Sequence, residues 1–525
     1  MLRPLQHVGC RGVAQHQGAY LLTRRHISTT TPATTVAQLL RSTAEASSSL
    51  STQGPVTLNG FVRTVRKQKR VAFAAIGDGT SLDAVQAVLT PDQGKDLSTG
   101  AAVQISGQWQ KSPSGKEQSH ELVASEVTLL GDNDAESYPI QKKYHSADFL
   151  RTLPHLRTRI PFNALLLRLR SESIRHATEY FTKLDYVQTH PPIITSSDCE
   201  GAGEVFHVRD NAVSTTREEK EGKEFFRSQK YLTVSSQLHL EALAQSVGRV
   251  WTLSPTFRAE HSDTPRHLSE FYMLEAEACF VDDVNAIMDV VEGLIRAIVN
   301  GLQSSTTGEQ LLSASAKKHL DDHQETKAAD IEARWNGIIG KPWPRITYFD
   351  AIERLQAAMA DEGVSFEHSP CLGAGLQAEH EKFIAETVGQ GSPVFITDYP
   401  GDIKAFYMAP SITQQNPDIS TVACFDLLVP ELCEIVGGSM REHRLEHLLR
   451  SMEAHRLLDP NSAFSTDLQS SIPTALQWYV DLRRYGSVPH GGFGLGFDRL
   501  LCYLSGVSSI RDVVSFPRWY GRCDC

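Results

Sequence analysis

Five short β-prone runs follow one another between residues 56 and 130, with Gly, Asp and Ser turns between them. The runs cover residues 56–65, 71–76, 84–89, 102–109 and 122–129. Five short strands in about 75 residues are typical of a small OB-type barrel. The polar, turn-rich residues 131–139 that follow indicate a hinge. We therefore predict a five-stranded β-barrel over residues 56–130.

The rest of the chain predicts a larger α+β domain. A sequence of 525 residues has room for two or three domains. Apolar residues recur at helical spacing over 165–184, and strand-like and helix-like segments are mixed from residue 185 onward. We expect the hinge to occupy residues 131–155 and the larger domain residues 156–525.

The overall charge excludes one broad class of function. A net charge of −11 argues against a protein that coats nucleic acid through its whole surface. A local basic patch is compatible with that sum, because short-range fields follow the local charge. No apolar run approaches the roughly 20 residues that span a bilayer, so we expect no membrane partner.

The N-terminal segment has the composition of a mitochondrial presequence. Its first 44 residues contain five arginines and no acid, and Glu45 is the first carboxylate. The segment that begins at Arg25 resembles a two-step processing site, which predicts a mature start near Thr35. We expect a presequence over 1–34, a disordered linker over 35–55 and location in the mitochondrial matrix. The alternative is a disordered N-terminal tail.

A basic cluster lies in the predicted barrel. It holds five cations within eight residues that include no acid, namely Arg63, Arg66, Lys67, Lys69 and Arg70. A face that adds the ring of Phe73 and the amide of Gln86 could hold unstacked single-stranded bases. Alternatively, Phe61 and Phe73 belong to the barrel core and the cations form a solvated edge. The residues alone leave both interpretations open.

Two distant segments carry groups suited to holding ATP against a carboxylic acid. The first, residues 257–271, contains Arg258, Glu260, His267 and Phe271. The second, residues 491–499, is a glycine-rich turn that ends in an arginine. A guanidinium binds phosphate and carboxylate with parallel hydrogen bonds, and fixed positive charge reduces the repulsion between two reacting anions. Each residue taken singly also fits a surface salt bridge or a core ring.

Together and in this order, the two segments resemble motifs 2 and 3 of class II aminoacyl-tRNA synthetases. The resemblance implies that Arg258 and Arg499 are catalytic and that Arg258 grips the α-phosphate. It further implies an ATP site formed by Arg258, Glu260, His267, Phe271, Glu434 and Arg499. The family usually has Glu where this chain has Asp498, which puts the support of Arg499 in question.

Two further segments resemble parts of the same family. Residues 185–194 resemble motif 1, with Pro192 at its characteristic proline, which implies a homodimer interface there. Asp426 and Glu434 match the family's metal-binding strand, which implies Mg²⁺. The implied fold is a mixed, mainly antiparallel sheet flanked by helices, with the OB-fold barrel appended. Taken alone, residues 185–194 also fit a plain helix-to-strand connection, and Asp426 and Glu434 also fit a solvated pair of carboxylates.

Residues 200–206 and 234–238 resemble the amino acid pocket of the aspartyl and asparaginyl subgroup, class IIb. The resemblance assigns four residues to the amino acid, namely Glu200, Ser235, Gln237 and Arg441. Aspartyl enzymes have a lysine where this chain has Leu240, and a pocket without that second cation favours a neutral amide. Ser236 and Leu240 depart from the residues that are common at these positions.

The resemblance extends from about residue 56 to about residue 517 and includes the anticodon-binding barrel. It implies that Phe73, Gln86, Arg63 and Arg66 contact the anticodon. The implied activity is ATP-dependent activation of asparagine to asparaginyl-adenylate, followed by esterification to tRNA(Asn) for mitochondrial translation. The alternatives are an aspartyl-tRNA ligase of the same subclass, an asparagine synthetase-like paralogue, which would be expected to lack the barrel, and a noncatalytic RNA-binding protein derived from a synthetase.

Overall fold

The computed structural model describes residues 33–44, 54–115, 118–196, 204–209, 225–313, 326–412, 414–458 and 472–525. Among these residues, no helix is both long and apolar enough to cross a bilayer.

The predicted five-stranded barrel is confirmed. Its strands close in the order β1-β2-β3-β5-β4, with β3 and β5 parallel and the other pairs antiparallel. A short helix α2, Pro91–Gly94, follows β3. The strands are β1 Val56–Lys67, β2 Ala72–Gly77, β3 Val85–Leu89, β4 Ala102–Lys111 and β5 His120–Gly131.

A helix precedes the barrel, where we expected the disordered linker over 35–55. Helix α1, Val36–Ala44, buries Val36 and Leu39 against the barrel core. Its first amides are also satisfied, because Val36 N–H donates to Asp78 at 2.9 Å and Ala37 N–H donates to Thr80 at 3.1 Å. Apolar packing and capped amides together order the segment. The expectation of disorder is therefore wrong for residues 36–44, and the presequence up to residue 32 lies outside the described residues.

The larger domain is built on an eight-stranded sheet in the order β12-β13-β14-β15-β16-β11-β10-β6. The pairs from β13 through β10 are antiparallel, and the pairs at both ends are parallel. This confirms the mixed, mainly antiparallel sheet. Its strands are β6 Val187–Gln188, β10 Arg249–Phe257, β11 Glu270–Cys279, β12 Arg345–Thr347, β13 Val394–Thr397, β14 Cys424–Val429, β15 Cys433–Met440 and β16 His490–Gly496.

A small three-stranded sheet lies beside it, in the order β7-β9-β8. Its strands are β7 Ile194–Thr195, β8 His207–Val208 and β9 Lys230–Leu232. Two short helices, α3 Ala147–Arg151 and α4 Pro154–Arg157, lie at the end of the residues 131–155 that we predicted as a hinge, and α4 extends two residues beyond them. The other helices are α5 Pro161–Lys183, α6 Gln237–Val247, α7 Val284–Gln303, α8 Thr306–Leu311, α9 Ala328–Gly340, α10 Tyr348–Asp361, α11 Ala378–Thr387, α12 Leu445–Ala454, α13 Gln477–Arg484, α14 Phe497–Ser505 and α15 Ile510–Val513, with a 3₁₀ turn at Gly401–Ile403.

Strand alternation decides which side chains are available for chemistry. Leu274, Phe425 and Leu495 belong to the main core, together with apolar residues of α5, α7 and α14. Successive side chains of a strand point to opposite faces. The neighbours Glu275 and Asp426 therefore point to the other face, where the sheet carries the candidate site.

Candidate active site

Two adjoining cavities lie over β11, β15 and β16. Cavity A, of 190 Å³, is lined by residues that include Ser235, Gln237, Leu240, Glu275, Glu277, Lys404, Asp426 and Arg441. Cavity B, of 250 Å³, is lined by residues that include Glu260, Arg266, His267, Phe271, Asp498 and Arg499. Both cavities are lined by Arg258, Met273, Glu434 and Gly494.

Arg258 stands where the two cavities meet. It follows directly after β10, and its backbone N–H donates to Ser269 O at 3.0 Å. Its guanidinium carbon lies 5.6 Å from the ring centroid of Phe271. A planar cation fixed in this way can contact one anion in each cavity at the same time.

Cavity B collects the other residues of the first segment and the second arginine. His267 Nε2 lies 3.5 Å from Glu260 Oε2, and burial lowers the pKa of His267 although Glu260 opposes that shift. Arg499 donates to the carbonyl oxygen of Glu434 at 2.9 Å. A Cβ on Gly494 would lie 2.6 Å from the methyl carbon of Met273. Glycine at this position of β16 therefore lets Met273 approach the strand.

Asp498 supports the scaffold. Its buried carboxylate accepts hydrogen bonds from Arg170 of α5 and, at 2.8 Å, from the backbone N–H of Tyr272 in β11. It thus ties α5 to β11, and the support of Arg499 comes instead from the carbonyl oxygen of Glu434.

The two predicted metal ligands lie on neighbouring strands. A Cβ on Gly437 would be 3.0 Å from Glu434 Oε1 and 3.7 Å from Asp426 Oδ1, so the two carboxylates face the same point. Lys404 Nζ binds Asp426 at 2.7 Å. Burial and then the charge of Asp426 raise the pKa of Glu434. Within the described residues, no three or more His, Cys, Asp or Glu side chains form a preassembled metal site.

A third carboxylate, Glu381 of α11, belongs to this cluster and was not predicted. Burial, followed by the charges of Glu434 and Asp426, raises the pKa of Glu381 to about 7. Lys404 was not predicted as a site residue either. Packing of α11 against β14 and β15 brings Glu381 to the cluster, and Lys404, directly after the 3₁₀ turn, reaches Asp426.

Cavity A contains a buried charge pair. Arg441 donates to Glu277 through Nε at 3.2 Å and through Nη2 at 3.0 Å, and its Nη1 donates to Ser439 at 2.8 Å. Both partners of the pair are almost fully buried. A bidentate pair of this kind is well ordered, since each charge is compensated by the other. Glu277 was not predicted, although the acids at 275 and 277 alternate with apolar residues and so share one face of β11.

The other predicted amino acid contacts line the same cavity where the structure describes them. Ser235 donates to Glu275 at 2.5 Å, and Gln237 Nε2 donates to Glu241 at 3.1 Å. Leu240 is 1% exposed and also lines cavity A, so its position faces the place where a ligand would bind. Glu200 lies outside the described residues.

Comparison with known proteins assigns the family. Residues 146–520 match the model of the family described as tRNA synthetases class II (D, K and N), which is more than half of the chain. Residues 56–130 match the OB-fold nucleic acid binding domain. The chain belongs to the class II aminoacyl-tRNA synthetases.

Relatives of this synthetase align with nearly nine-tenths of its length. The mitochondrial asparagine–tRNA ligase of Saccharomyces cerevisiae is 43% identical over 481 residues, which cover 88% of this chain and 92% of the relative. That of Schizosaccharomyces pombe is 40% identical over 471 residues, which cover 89% and 94%. The solved asparaginyl-tRNA synthetase of Pyrococcus horikoshii complexed with asparaginyl-adenylate aligns with a TM-score of 0.72 at 28% identity, covering 93% of this chain and 99% of that one.

The barrel of this synthetase presents most of the predicted RNA-binding residues on one surface. The Arg66 guanidinium lies 5.8 Å from the Phe73 ring centroid, and Arg66 is exposed. Gln86 Nε2 donates to Glu121 Oε2 at 3.4 Å, which adds a carboxylate that was not predicted. Phe73 is half-buried and Phe61 is 43% exposed, so neither ring is a core residue of the barrel.

The structure engages Arg63 differently from Arg66. Its guanidinium donates to the carbonyl oxygens of Leu82 at 2.6 Å and of Ser81 at 3.1 Å. Leu82 packs in the core of the larger domain. Arg63 therefore holds the β2–β3 loop that packs on the larger domain, and its contact with the anticodon stays a prediction.

The motif 1 segment forms the edge of the synthetase sheet. Within the described part of the chain, β6 is the terminal strand and pairs with β10. Pro192 is exposed, and exposed apolar side chains lie close to it in sequence, at Val187, Ile193 and Ile194. Exposed apolar groups beside an edge strand are typical of an interaction surface.

Proposed function

We propose that this synthetase activates asparagine with ATP and then esterifies it to tRNA(Asn) for mitochondrial translation. One observation carries the proposal: a cavity suited to a small polar amino acid adjoins a cavity suited to a nucleotide, and Arg258 lines both. Relatives at 40% and 43% identity that are named mitochondrial asparagine–tRNA ligases support it.

The chemistry follows from this arrangement. A carboxylate oxygen of asparagine attacks the α-phosphorus of ATP, the bond to the β-phosphate oxygen breaks, and pyrophosphate leaves. A terminal ribose hydroxyl of the tRNA then attacks the adenylate carbonyl carbon, and AMP leaves. Both steps need positioning and charge neutralisation, and neither needs a side-chain nucleophile. Arg258 neutralises the two anions of the first step.

The nucleotide would occupy cavity B. Phe271 stacks on the adenine, Glu260 accepts from its amino group, and His267 contacts the terminal phosphate. Arg499 covers the opposite face of the base and reaches the γ-phosphate. The support for these roles is that all four side chains line one cavity beside Arg258.

The substrate side chain would meet the pair formed by Arg441 and Glu277. A side-chain amide has one acceptor and one donor group. The guanidinium can donate to the amide oxygen, and the carboxylate can accept from the amide nitrogen. The α-ammonium would be held by Gln237 and Glu200, with Ser235 beside it.

An aspartate carboxylate suits this cavity less well. The described lining of cavity A already contains four carboxylates, Glu275, Glu277, Asp426 and Glu434, against three cations, Arg258, Lys404 and Arg441. Leu240 supplies no further cation, and a fifth carboxylate would be incompletely compensated. The balance of charge therefore favours asparagine.

Asp426 and Glu434 fit a magnesium site. Mg²⁺ in nucleotide enzymes is held by one or two carboxylates together with substrate phosphates. The two carboxylates face a common point at the wall that cavities A and B share. When bound, the cation would neutralise phosphate charge. Lys404 already compensates one charge of the pair.

The remaining partners follow from the surfaces. The anticodon would lie on Phe73, Gln86 and Arg66 of the barrel, and a second copy of the chain would pack on the β6 edge at Pro192. The acid-free, arginine-rich first 44 residues and the mitochondrial relatives support location in the mitochondrial matrix.

ATP–pyrophosphate exchange tests the proposal directly. The purified protein is assayed with asparagine and with aspartate separately. An R258A variant, which lacks the side chain that lines both cavities, is assayed in the same way. We expect exchange with asparagine alone and a loss of at least about 100-fold in R258A, since fixed charge at the reacting anions is removed. Exchange with aspartate alone would overturn the assignment of the amino acid, and exchange with neither would overturn the activity.

A further inference from the structure

A buried glutamate outside the proposed contacts connects two of them. Glu241 of α6 is 0% exposed and accepts hydrogen bonds from four side chains. The donors are Gln237 Nε2 at 3.1 Å, Tyr479 Oη at 2.9 Å, Arg483 Nη2 at 2.6 Å and His490 Nε2 at 3.1 Å. A carboxylate this deep is retained only where its charge is compensated, and Arg483 beside it supplies the compensation.

The first connection runs to Gln237. An ionised carboxylate has no proton to donate, so Gln237 must turn its NH₂ group toward Glu241. Its carbonyl oxygen is then the end of the amide that can accept from a ligand in cavity A, which Gln237 lines. An α-ammonium group needs an acceptor. Without Glu241, the amide could rotate and present a donor to the ammonium.

The second connection runs to Arg441 through the backbone. Arg483 also donates, through Nε, to the carbonyl oxygen of Glu442 at 2.9 Å. The backbone N–H of Arg441 donates to the carbonyl oxygen of His490 at 2.9 Å. Two of the residues that Glu241 binds thus hold the chain at Arg441 and directly after it.

We propose that Glu241 is a positioning residue for asparagine. It fixes the amide orientation of Gln237 for the α-ammonium and the backbone at Arg441 for the side-chain amide, without touching the substrate. The proposal rests on the proposed function, because it assumes that cavity A binds the amino acid.

Steady-state kinetics of E241Q test the proposal. The glutamine side chain has the same shape, but its NH₂ group is itself a donor and cannot accept hydrogen bonds from the donors that surround position 241. We expect the KM for asparagine in exchange to rise at least about tenfold, because two substrate contacts lose their support. The KM for ATP should stay within about twofold, since cavity B does not contact this network.

A double-mutant cycle with Gln237 separates positioning from general loss of structure. If Glu241 acts partly through Gln237, the effects of E241Q and Q237A on the KM for asparagine are less than additive. Glu172 of α5, which accepts from Thr307 at 2.7 Å and lines neither cavity, supplies the control E172Q. This control should leave both KM values unchanged.

Further variants keep the test decisive. If E241Q does not fold, E241D retains the charge with a shorter reach, and the same selective rise in the KM for asparagine is expected. An unchanged KM for asparagine, a parallel rise in the KM for ATP, or strictly additive effects with Q237A would each overturn the positioning role. Absence of asparagine-dependent exchange in the unsubstituted protein would instead overturn the proposed function, so the two failures are distinguishable.

Discussion

Replacing Glu277 with glutamine tests how cavity A recognises an amide. Glu277 and Gln have the same shape, so E277Q keeps one oxygen for Arg441 and exchanges the other for an NH₂ group. Arg441 also retains Ser439 as an acceptor at 2.8 Å. The perturbation therefore removes one negative charge and one acceptor from the cavity wall without opening a hole.

The size of the effect follows from the type of hydrogen bond that is lost. A hydrogen bond to a charged group contributes about 1.5–3 kcal/mol. At about 1.4 kcal/mol per tenfold, kcat/KM for asparagine should fall roughly 10- to 150-fold. For aspartate the same change lowers the carboxylates that line the cavity from four to three, against three cations. We therefore expect kcat/KM for aspartate to rise. The fall for asparagine and the rise for aspartate both lower the ratio of the two kcat/KM values.

ATP–pyrophosphate exchange with each amino acid measures both effects. Thermal unfolding of E277Q checks that the fold is intact, and the KM for ATP reports on cavity B. Unchanged kcat/KM values for both amino acids would refute the reasoning, because the acceptor for the amide would then lie elsewhere. An equal loss for both amino acids would show that Glu277 only maintains the cavity.

Three further outcomes follow from the geometry. R66A should weaken tRNA binding and reduce, by about one, the slope of the logarithm of the tRNA association constant against the logarithm of the salt concentration. R63A should lower the melting temperature and leave that slope unchanged. Binding measured across a salt titration and thermal unfolding check both variants. L39A should destabilise the barrel by about 2–5 kcal/mol in urea unfolding, since it removes a buried leucine side chain. An unchanged free energy of unfolding would show that α1 is only loosely attached to the barrel. Iodoacetamide mapping at pH 8 should label the exposed Cys371 and spare Cys424, because burial raises the pKa of the Cys424 thiol to about 12.

The sequence pattern predicted the five strands of the barrel and the two segments that carry Arg258 and Arg499. Five runs with turn residues between them become five strands of a closed barrel, each within a few residues of its expected bounds. Arg258 and Arg499, which are more than 200 residues apart, line one cavity as their segments suggested. Helix α1 was missed because its first backbone amides donate to Asp78 and Thr80 and its apolar residues pack on the barrel core, contacts that its own composition does not reveal.

Arg63 and Arg66 lie in one run of cations on β1, but the structure engages them differently. Strict alternation would place two residues three positions apart on opposite faces of a strand. The pairing of β1 with β2 shifts register between Val62 and Thr64, which makes Arg63 the extra residue of a bulge. A bulge redirects a side chain, and here it sends the guanidinium across Gly77, where a Cβ would lie within 2.5 Å of it.

The residues that no pattern indicated are those that hold the site in place. Glu241 and Arg483 are 242 positions apart and meet only because α6 and α13 pack together. A single glutamate in an amphipathic helix resembles any solvated position, and its burial becomes visible only in the tertiary structure.

In the function that we propose, selectivity for an amide depends less on Leu240 alone than on charges that are already paired. A neutral amide can insert between the guanidinium of Arg441 and the carboxylate of Glu277, gaining a hydrogen bond from each while the two charges still compensate one another. A carboxylate can bind that guanidinium fully only by competing with Glu277, and a displaced buried carboxylate is costly. The absence of a lysine at 240 removes the compensation that would offset this cost. We therefore expect Leu240 and the pair to disfavour aspartate for the same electrostatic reason.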